Sequence, residues 1–510
     1  MKTGFFIKRS KVVIFFSIFF VFLSWAVFFQ YNWAKSLNTH VKRSHLTNTR
    51  LSVDPNNHYW LIDGDNHVYL QGISHRGVLF WHNINGHPNK NENAALQMLE
   101  DLAENGGNYV RTNVCPLQTE TENDGPYNHM WERTGPGLAA DGKPKFNLEK
   151  IKESYFDNVL IPFLHEANKR NIYIELTLFD ANLWADTAWP VSIWNPKNNV
   201  NLEQVKPGIL GPDNLTVDNR KVFMIQTNFI DKLIEKTKIF GNIIYEPFNE
   251  CPFHSDSSLP RKVSELWVKK IVEYIKSKGD FLISVDRNAI NNSMHEFTPY
   301  KAEDKNTENS FVVVHSGPWT ITPDQVDRDY RNILNMGRNK AVLLNEDFTW
   351  NEKNALQNEP EIVKAVRMKK WLSFMAGGHH NFYVFRGWID GHKPSHLFSA
   401  LKYLTKFIGQ NNIHFWEMIP MENNSDFIIS HPGKYAYVLY KYNSIYLIYL
   451  TGSKKQDNMQ VTLPSHGFKA VSYSPKTGTY IDLRVSNNLI SNIPHFDEDL
   501  VILLNKVITQ

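Results

Sequence analysis

The sequence predicts an α/β fold: a (β/α)8 TIM barrel with a C-terminal all-β sandwich domain and an N-terminal transmembrane segment. Three observations carry this expectation. Eight strand-like runs alternate with helix-like stretches over about 340 residues, which suits a closed parallel barrel better than an open sheet. After Gln410 the alternation gives way to short strands separated by turn residues. Near the N-terminus, Val12 to Phe29 runs for 18 residues without a charge.

The elements follow in chain order. Residues 1–11 form a basic cytoplasmic end, with Lys2, Lys8, Arg9 and Lys11 and no acid. Residues 12–29 are just long enough to span a hydrocarbon core of roughly 30 Å, and longer than the core of a signal peptide. The basic cluster ahead of them predicts that the N-terminus stays in the cytosol. Trp25-Ala26-Val27-Phe28-Phe29 offers bulky residues where cleavage needs small ones, so an uncleaved signal-anchor in the lipid bilayer is expected. The product is then a single-pass membrane protein of the cell envelope or secretory pathway with its folded part outside the cytosol; cleavage would make it secreted. Residues 30–55 are polar and aperiodic and read as a stalk.

Residues 56–410 make the expected barrel. It opens on a hairpin, YWLIDGDNHVYLQG, turning at Asp63-Gly64-Asp65-Asn66. The eight strand candidates are 68–74, 108–114, 172–179, 242–249, 281–286, 311–316, 341–347 and 380–386. Several are apolar on both parities, as strands covered on both faces should be. Amphipathic stretches lie between them at 156–170, 222–236, 264–278, 327–338, 362–375 and 397–408. Gly106-Gly107, Gly279 and Gly377-Gly378 fall where helices should stop. Residues 411–510 make the sandwich.

Composition narrows the function classes. The chain has 510 residues, 42% hydrophobic and 21% charged, which excludes long disorder, collagen and coiled coil. Without the four N-terminal positives, 51 basic residues face 52 acidic ones, leaving no basic surface for nucleic acid. Aromatic residues reach 13%, a load that suits large cores and also clefts where ring faces stack on sugars. Cys115 and Cys251 are the only cysteines, too few for a disulfide scaffold and without metal-ligand spacing. His379-His380 has no third ligand nearby and reads as structural, so neither metal nor organic cofactor is expected.

Two glutamates stand out because each closes a predicted barrel strand: Glu250 after NIIYEPFN and Glu346 after AVLLN. Residues at the C-terminal ends of barrel strands point into the common mouth. Two carboxyls across such a mouth are what glycoside hydrolysis needs, one to protonate the leaving oxygen and one to attack the anomeric carbon or activate water. Strict alternation places Glu246 on the face of Glu250, one layer deeper, in a buried supporting position. Arg111, inside NYVRTNV, is costly in a barrel strand unless it meets a carboxylate.

This arrangement resembles the clan A retaining glycoside hydrolases, whose family 5 cellulases and mannanases share Asn-Glu ending the fourth strand and Glu ending the seventh. The resemblance implies that Glu250 is the acid/base and Glu346 the nucleophile. It implies further that Asn249 contacts the sugar 2-hydroxyl, that Arg111 bonds the nucleophile, and that His315 takes the aromatic or His position of the sixth strand. YLQGISHRG resembles the way into such barrels, and SYSPKTGTY resembles a turn of collagen-binding-like C-terminal sandwiches. His75 and Asp180, which end the first and third strands, and Trp184 and Trp388, in the mouth loops, are further candidates for holding sugar. The partner expected is an oligosaccharide, polysaccharide or glycoconjugate. Two other readings stay open: a membrane-anchored glycosyltransferase, which predicts an open nucleotide-binding sheet and an acidic metal motif, and a non-catalytic carbohydrate-binding protein.

Overall fold

The computed structural model describes residues 49–75, 77–81, 94–114, 130–180, 189–205, 216–249, 261–287, 310–315, 322–337, 340–345, 349–350, 352–384, 397–454 and 456–507. The basic end, the apolar run 12–29 and most of the expected stalk lie outside these residues. Among the described residues no helix is long and apolar enough to cross a membrane.

Eight parallel strands form the centre: β1 (Gln71–Ser74), β2 (Tyr109–Asn113), β3 (Tyr173–Asp180), β4 (Ile243–Asn249), β5 (Ile283–Arg287), β6 (Ser310–His315), β7 (Val342–Asn345) and β8 (His379–Val384). Each pairs with the next in sequence, and β8 pairs with β1 through Asn381 and Gly72, so the ring closes. Every residue of β3 and β4 is buried, which explains why these runs are apolar on both parities. Gly72 is required by closure: a Cβ there would sit 1.8 Å from the carbonyl oxygen of Tyr109 on β2.

The helices α1 (Ala94–Glu104), α2 (Ile161–Lys169), α3 (Arg220–Thr237), α4 (Arg261–Ser277), α5 (Pro323–Gly337), α6 (Glu352–Met375) and α7 (Phe398–Gln410) fall between or after the strands. α3 shows why they form. Val222, Ile225, Phe229, Ile230, Leu233 and Ile234 make one buried stripe, and the Asn219 side chain caps the first turn by accepting from the Val222 amide. The closed ring is not the open nucleotide-binding sheet that a glycosyltransferase predicts.

Two elements escaped the sequence. α1 buries Ala94, Ala95, Met98, Leu99 and Leu102, a stripe whose two alanines weaken the periodic signal. Between β2 and β3 stands a hairpin of Trp131–Leu138 and Pro144–Ile151, whose polar, glycine-containing strands bury little beyond Trp131, Phe146 and Leu148. The stalk also ends earlier than expected. Leu51–Val53 pairs with Leu61–Asp63 and through it with Asn66–Val68, making a three-stranded antiparallel sheet. Leu51, Leu61 and Val68 pack against Tyr109, Tyr173, Ile244, Leu282 and Leu343, closing the N-terminal end of the barrel with an apolar plug. Residues 51–53 belong to the fold because Leu51 is needed in that plug.

Beyond α7, where the sequence predicts a sandwich, antiparallel strands between Ile419 and Lys506 form a nine-stranded sheet domain with its own core of Val438, Ile448, Leu450, Met459, Val461, Ile490, Ile502 and Leu504. A second core is shared with the barrel. Trp371 on α6 and Phe407 on α7 pack against Tyr449 and Tyr473 of the sandwich. Arg367 on α6 donates to both oxygens of buried Asp499, which also accepts from the Tyr449 hydroxyl at 3.0 Å. The SYSPKTGTY turn serves this junction: the Tyr473 hydroxyl donates to the Tyr403 carbonyl at 2.9 Å, and Gly478, at φ +72°, lies against the Tyr403 ring. Trp371→Ala should therefore cost about 3–5 kcal/mol. Chemical denaturation followed by one probe in each domain checks this, with both probes reporting the same lowered midpoint.

Candidate active site

Above the apolar plug the barrel interior turns polar, because alternation points Tyr109, Arg111 and Asn113 of β2, Glu175 and Thr177 of β3, and Glu246 of β4 inward. Arg111 is fully buried. Its Nε donates to Glu246 Oε2 and its Nη2 to Glu246 Oε1, both at 2.8 Å, a bidentate pair. Nη2 also donates to Asn249 Oδ1 at 2.6 Å, and Nη1 reaches Ser74 Oγ on β1 at 3.4 Å. A second buried carboxyl, Glu175, lies 3.4 Å from Arg111 Nε and accepts from the Tyr109 hydroxyl. Thr177 donates to Glu246 from the neighbouring strand.

The alternation then slips by one residue at the same level of β3 and β4. Phe179 and Phe248, which should face inward, instead pack outward on Trp267 of α4. Asp180 and Asn249 turn inward: Asp180 Oδ2 accepts from Asn249 Nδ2 at 3.0 Å and from Asn113 Nδ2 at 2.9 Å. The slip coincides with Pro247, which has no N–H for the ladder, and the recorded β4–β5 pairing is confined to Tyr245 and Ile283. The expectation from unbroken alternation needs correcting here. Glu246 and Asn249, three apart, share the inner face and the same guanidinium.

Burial sets the protonation of this layer. Glu175 is pushed up to about 8, first by loss of water and then by the charge of Glu246, with Arg111 opposing. Tyr109 is raised well above the usual tyrosine range by burial and by Glu175 beside it. His75, just past β1, is fully buried with its backbone N–H on the Arg111 carbonyl, and burial pulls its ring down to about 4.

Of the residues expected in the site, the structure brings Arg111, Asn249 and Asp180 into one hydrogen-bonded chain and places His75 beside β2. The end of β6 carries His315 level with Asn345 of β7, and the His315 side chain lies outside the described residues. Glu250, Glu346, Trp184, Trp388, Cys115 and Cys251 also lie outside them. The resemblance implies that Arg111 bonds Glu346, which lies outside the described residues; within them Arg111 meets Glu246, Asn249, Glu175 and Ser74. Sequence reading missed Glu175, Tyr109, Thr177 and Asn113. The signal for Glu175 was present, since a lone Glu inside IYIELTLF must find a partner within the ring.

Asn345 closes β7, and its buried amide has no partner among the described residues. Among those residues no group of three His, Cys, Asp or Glu is arranged to hold a metal. His379 is structural: its Nδ1 accepts from the Leu70 amide at 3.0 Å, among Trp60, Tyr69 and Phe374. Asp63 is likewise engaged, accepting from Thr49 and Tyr173.

No protein-family model and no curated protein matches the sequence. Solved structures do resemble the fold. A glycoside hydrolase family 5 protein from Bacteroides vulgatus ATCC 8482 superposes with a TM-score of 0.58 at 14% identity, over 90% of this chain and 93% of that one. A structure described as a glycoside hydrolase superposes with a TM-score of 0.55 at 15% identity, over 90% of this chain and 98% of that one. At these identities the likeness establishes a shared TIM-barrel-like architecture with an appended antiparallel domain.

Two outcomes follow. Glu246→Ala leaves the Arg111 charge buried with its bidentate partner gone, so it should destabilise the protein by about 3–5 kcal/mol, read from urea unfolding. His75 is neutral in the fold, and the unfolded chain takes up its proton first as pH falls. Its contribution is intact above pH 6.5 and is lost towards pH 4, at up to about 1.4 kcal/mol per pH unit. Unfolding midpoints across that window, compared with His75→Asn, should show the steeper fall in the wild type.

Proposed function

We propose that the chain is a glycosidase, specifically a retaining glycoside hydrolase cleaving β-linked O-glycosidic bonds of an oligosaccharide, polysaccharide or glycoconjugate. One observation carries the reading: Arg111, Asn249 and Asp180 form a sealed polar floor at the C-terminal mouth of a closed barrel. Asn249 and Asn345, the last residues of β4 and β7, are followed directly in the chain by Glu250 and Glu346. The architecture shared with structures described as glycoside hydrolases supports it.

In the first step Glu250 gives its proton to the glycosidic oxygen while Glu346, ionised, attacks the anomeric carbon and forms a glycosyl-enzyme. In the second, Glu250 takes a proton from water, which displaces Glu346 and restores the original anomeric configuration. Arg111 supports both steps by fixing Asn249 one residue before the acid. Asn345, with an amide to offer, suits a sugar hydroxyl or the Glu346 carboxylate. Trp184 and Trp388 would stack on the sugar, with His75, His315 and Asp180 as polar neighbours.

The sandwich braces the barrel in this reading through the core it shares with α6 and α7. The apolar run 12–29 would tether the enzyme to a bilayer with the barrel on the far side from the cytosol, a proposal that rests on the sequence alone.

Aryl β-glycosides and polysaccharides form the test panel. Glu250→Gln should lower kcat/KM by about 10²–10⁴-fold, with losses smallest on the aryl substrates whose leaving groups need least protonation. Glu346→Gln should abolish turnover, and proton NMR of the first product should show the retained anomer. Equal activity of Glu346→Gln and wild type, or an inverted product, would overturn the reading.

A further inference from the structure

Among the described residues, the layer beneath the proposed site sets two buried carboxyls against one guanidinium. Glu175 and Glu246 sit on adjacent strands and share one guanidinium, Arg111, and all three are fully buried. Glu246 takes the bidentate position, and Glu175 has the longer 3.4 Å approach to Nε, the Tyr109 hydroxyl and Ser284. One cation cannot balance two anions in a site closed to water, so the neutral arrangement carries one proton. The geometry favours Glu175 as its holder, because Glu246 accepts from two guanidinium nitrogens and from Thr177.

We infer that Glu175 is a positioning residue for the proposed hydrolysis: its proton keeps Arg111 on Glu246 and Asn249, and loss of that proton at alkaline pH pulls the guanidinium away and switches the site off. The inference rests on the hydrolase reading and deepens it. Ionised Glu175 competes for the Nε that Glu246 now holds. Any shift of Arg111 towards Glu175 loosens the 2.6 Å bond to Asn249 Oδ1, and with it the residue preceding Glu250. Among the described residues the groups facing Glu175 are Tyr109 and Arg111 from β2, Glu246 from β4 and Ser284 from β5. Arg111 is the single cation among them. The upward displacement of Glu175 to about 8 places the switch just above neutrality. The linkage sign agrees: an acid raised in the fold stabilises it at low pH and loses that contribution as pH climbs through the folded value.

The test compares Glu175→Gln, a neutral stand-in for the protonated acid, with wild type. The ratio of kcat/KM, variant over wild type, should rise about tenfold between about pH 6 and pH 9, because only the wild type loses the proton. A flat ratio overturns the switch. Infrared spectra of the intact protein at neutral pH supply a reading independent of activity: the wild-type spectrum minus that of Glu175→Gln should contain the C=O stretch of one buried protonated carboxyl, over and above any band from the Glu250 acid. An unchanged band overturns the assignment of the proton even if no glycoside is turned over. Absence of turnover by the wild type sinks the hydrolase reading separately. Should Glu175→Gln fail to fold, Tyr109→Phe serves. It removes a hydrogen bond that favours the ionised acid, so the alkaline loss of activity should move to higher pH; a shift to lower pH or no shift would contradict the inference.

Discussion

A guanidinium sealed inside a ring of strands must be given acceptors, and the position of Arg111 dictates much of what surrounds it. Left unpaired, a buried charge costs several kcal/mol, enough to consume a large part of the net stability of a fold. Glu246 meets it from two strands away, with Thr177 bridging the gap from β3. Asn249 satisfies the remaining Nη2 direction and passes the order on to Asp180 and Asn113. Three adjacent strands, β2, β3 and β4, are thus locked in register by side chains, at the level where the mouth begins.

The rest of the molecule keeps that lock dry and rigid. Below it, the N-terminal three-stranded sheet fills the barrel's open end with Leu51, Leu61 and Val68, packed on Tyr109, Tyr173 and Ile244. Outside it, Phe179, Phe248 and Trp267 pack in the layer between strands and helices, held by the same slip that turns Asp180 and Asn249 inward. The sandwich adds a second brace by sharing an aromatic core with α6 and α7, the helices flanking β8. A site that needs groups held to a fraction of an ångström gains from sitting on strands supported this way.

Much of this was legible in the residues. All eight barrel strands stand where strand-like runs predicted them, and β3 and β4, buried throughout, show why: burial on both faces leaves little choice of composition. The sandwich strands were equally plain from their close spacing and turns. Periodicity failed where little apolar surface is buried, in the hairpin between β2 and β3, and where alanines form the buried face, in α1. Within the site, Asn249 and Asp180 were found because each ends a strand, and Arg111 because a charge inside a barrel strand needs a carboxylate. Glu175 was passed over inside an apolar run, although a charged residue in such a run is the stronger anomaly. The inner face of Asn249 was not legible, because it depends on a slip that only the fold reveals beside Pro247.

The central claim is that this lock aligns two carboxyls across the mouth. A crystal structure resolving the ends of β4 and β7 measures it directly, through the separation of the Glu250 and Glu346 carboxyl groups. A separation of about 5–5.5 Å, with Asn249 still on Arg111, is the predicted result. Carboxyls about 9 Å apart, or facing opposite sides of the ring wall, would contradict it.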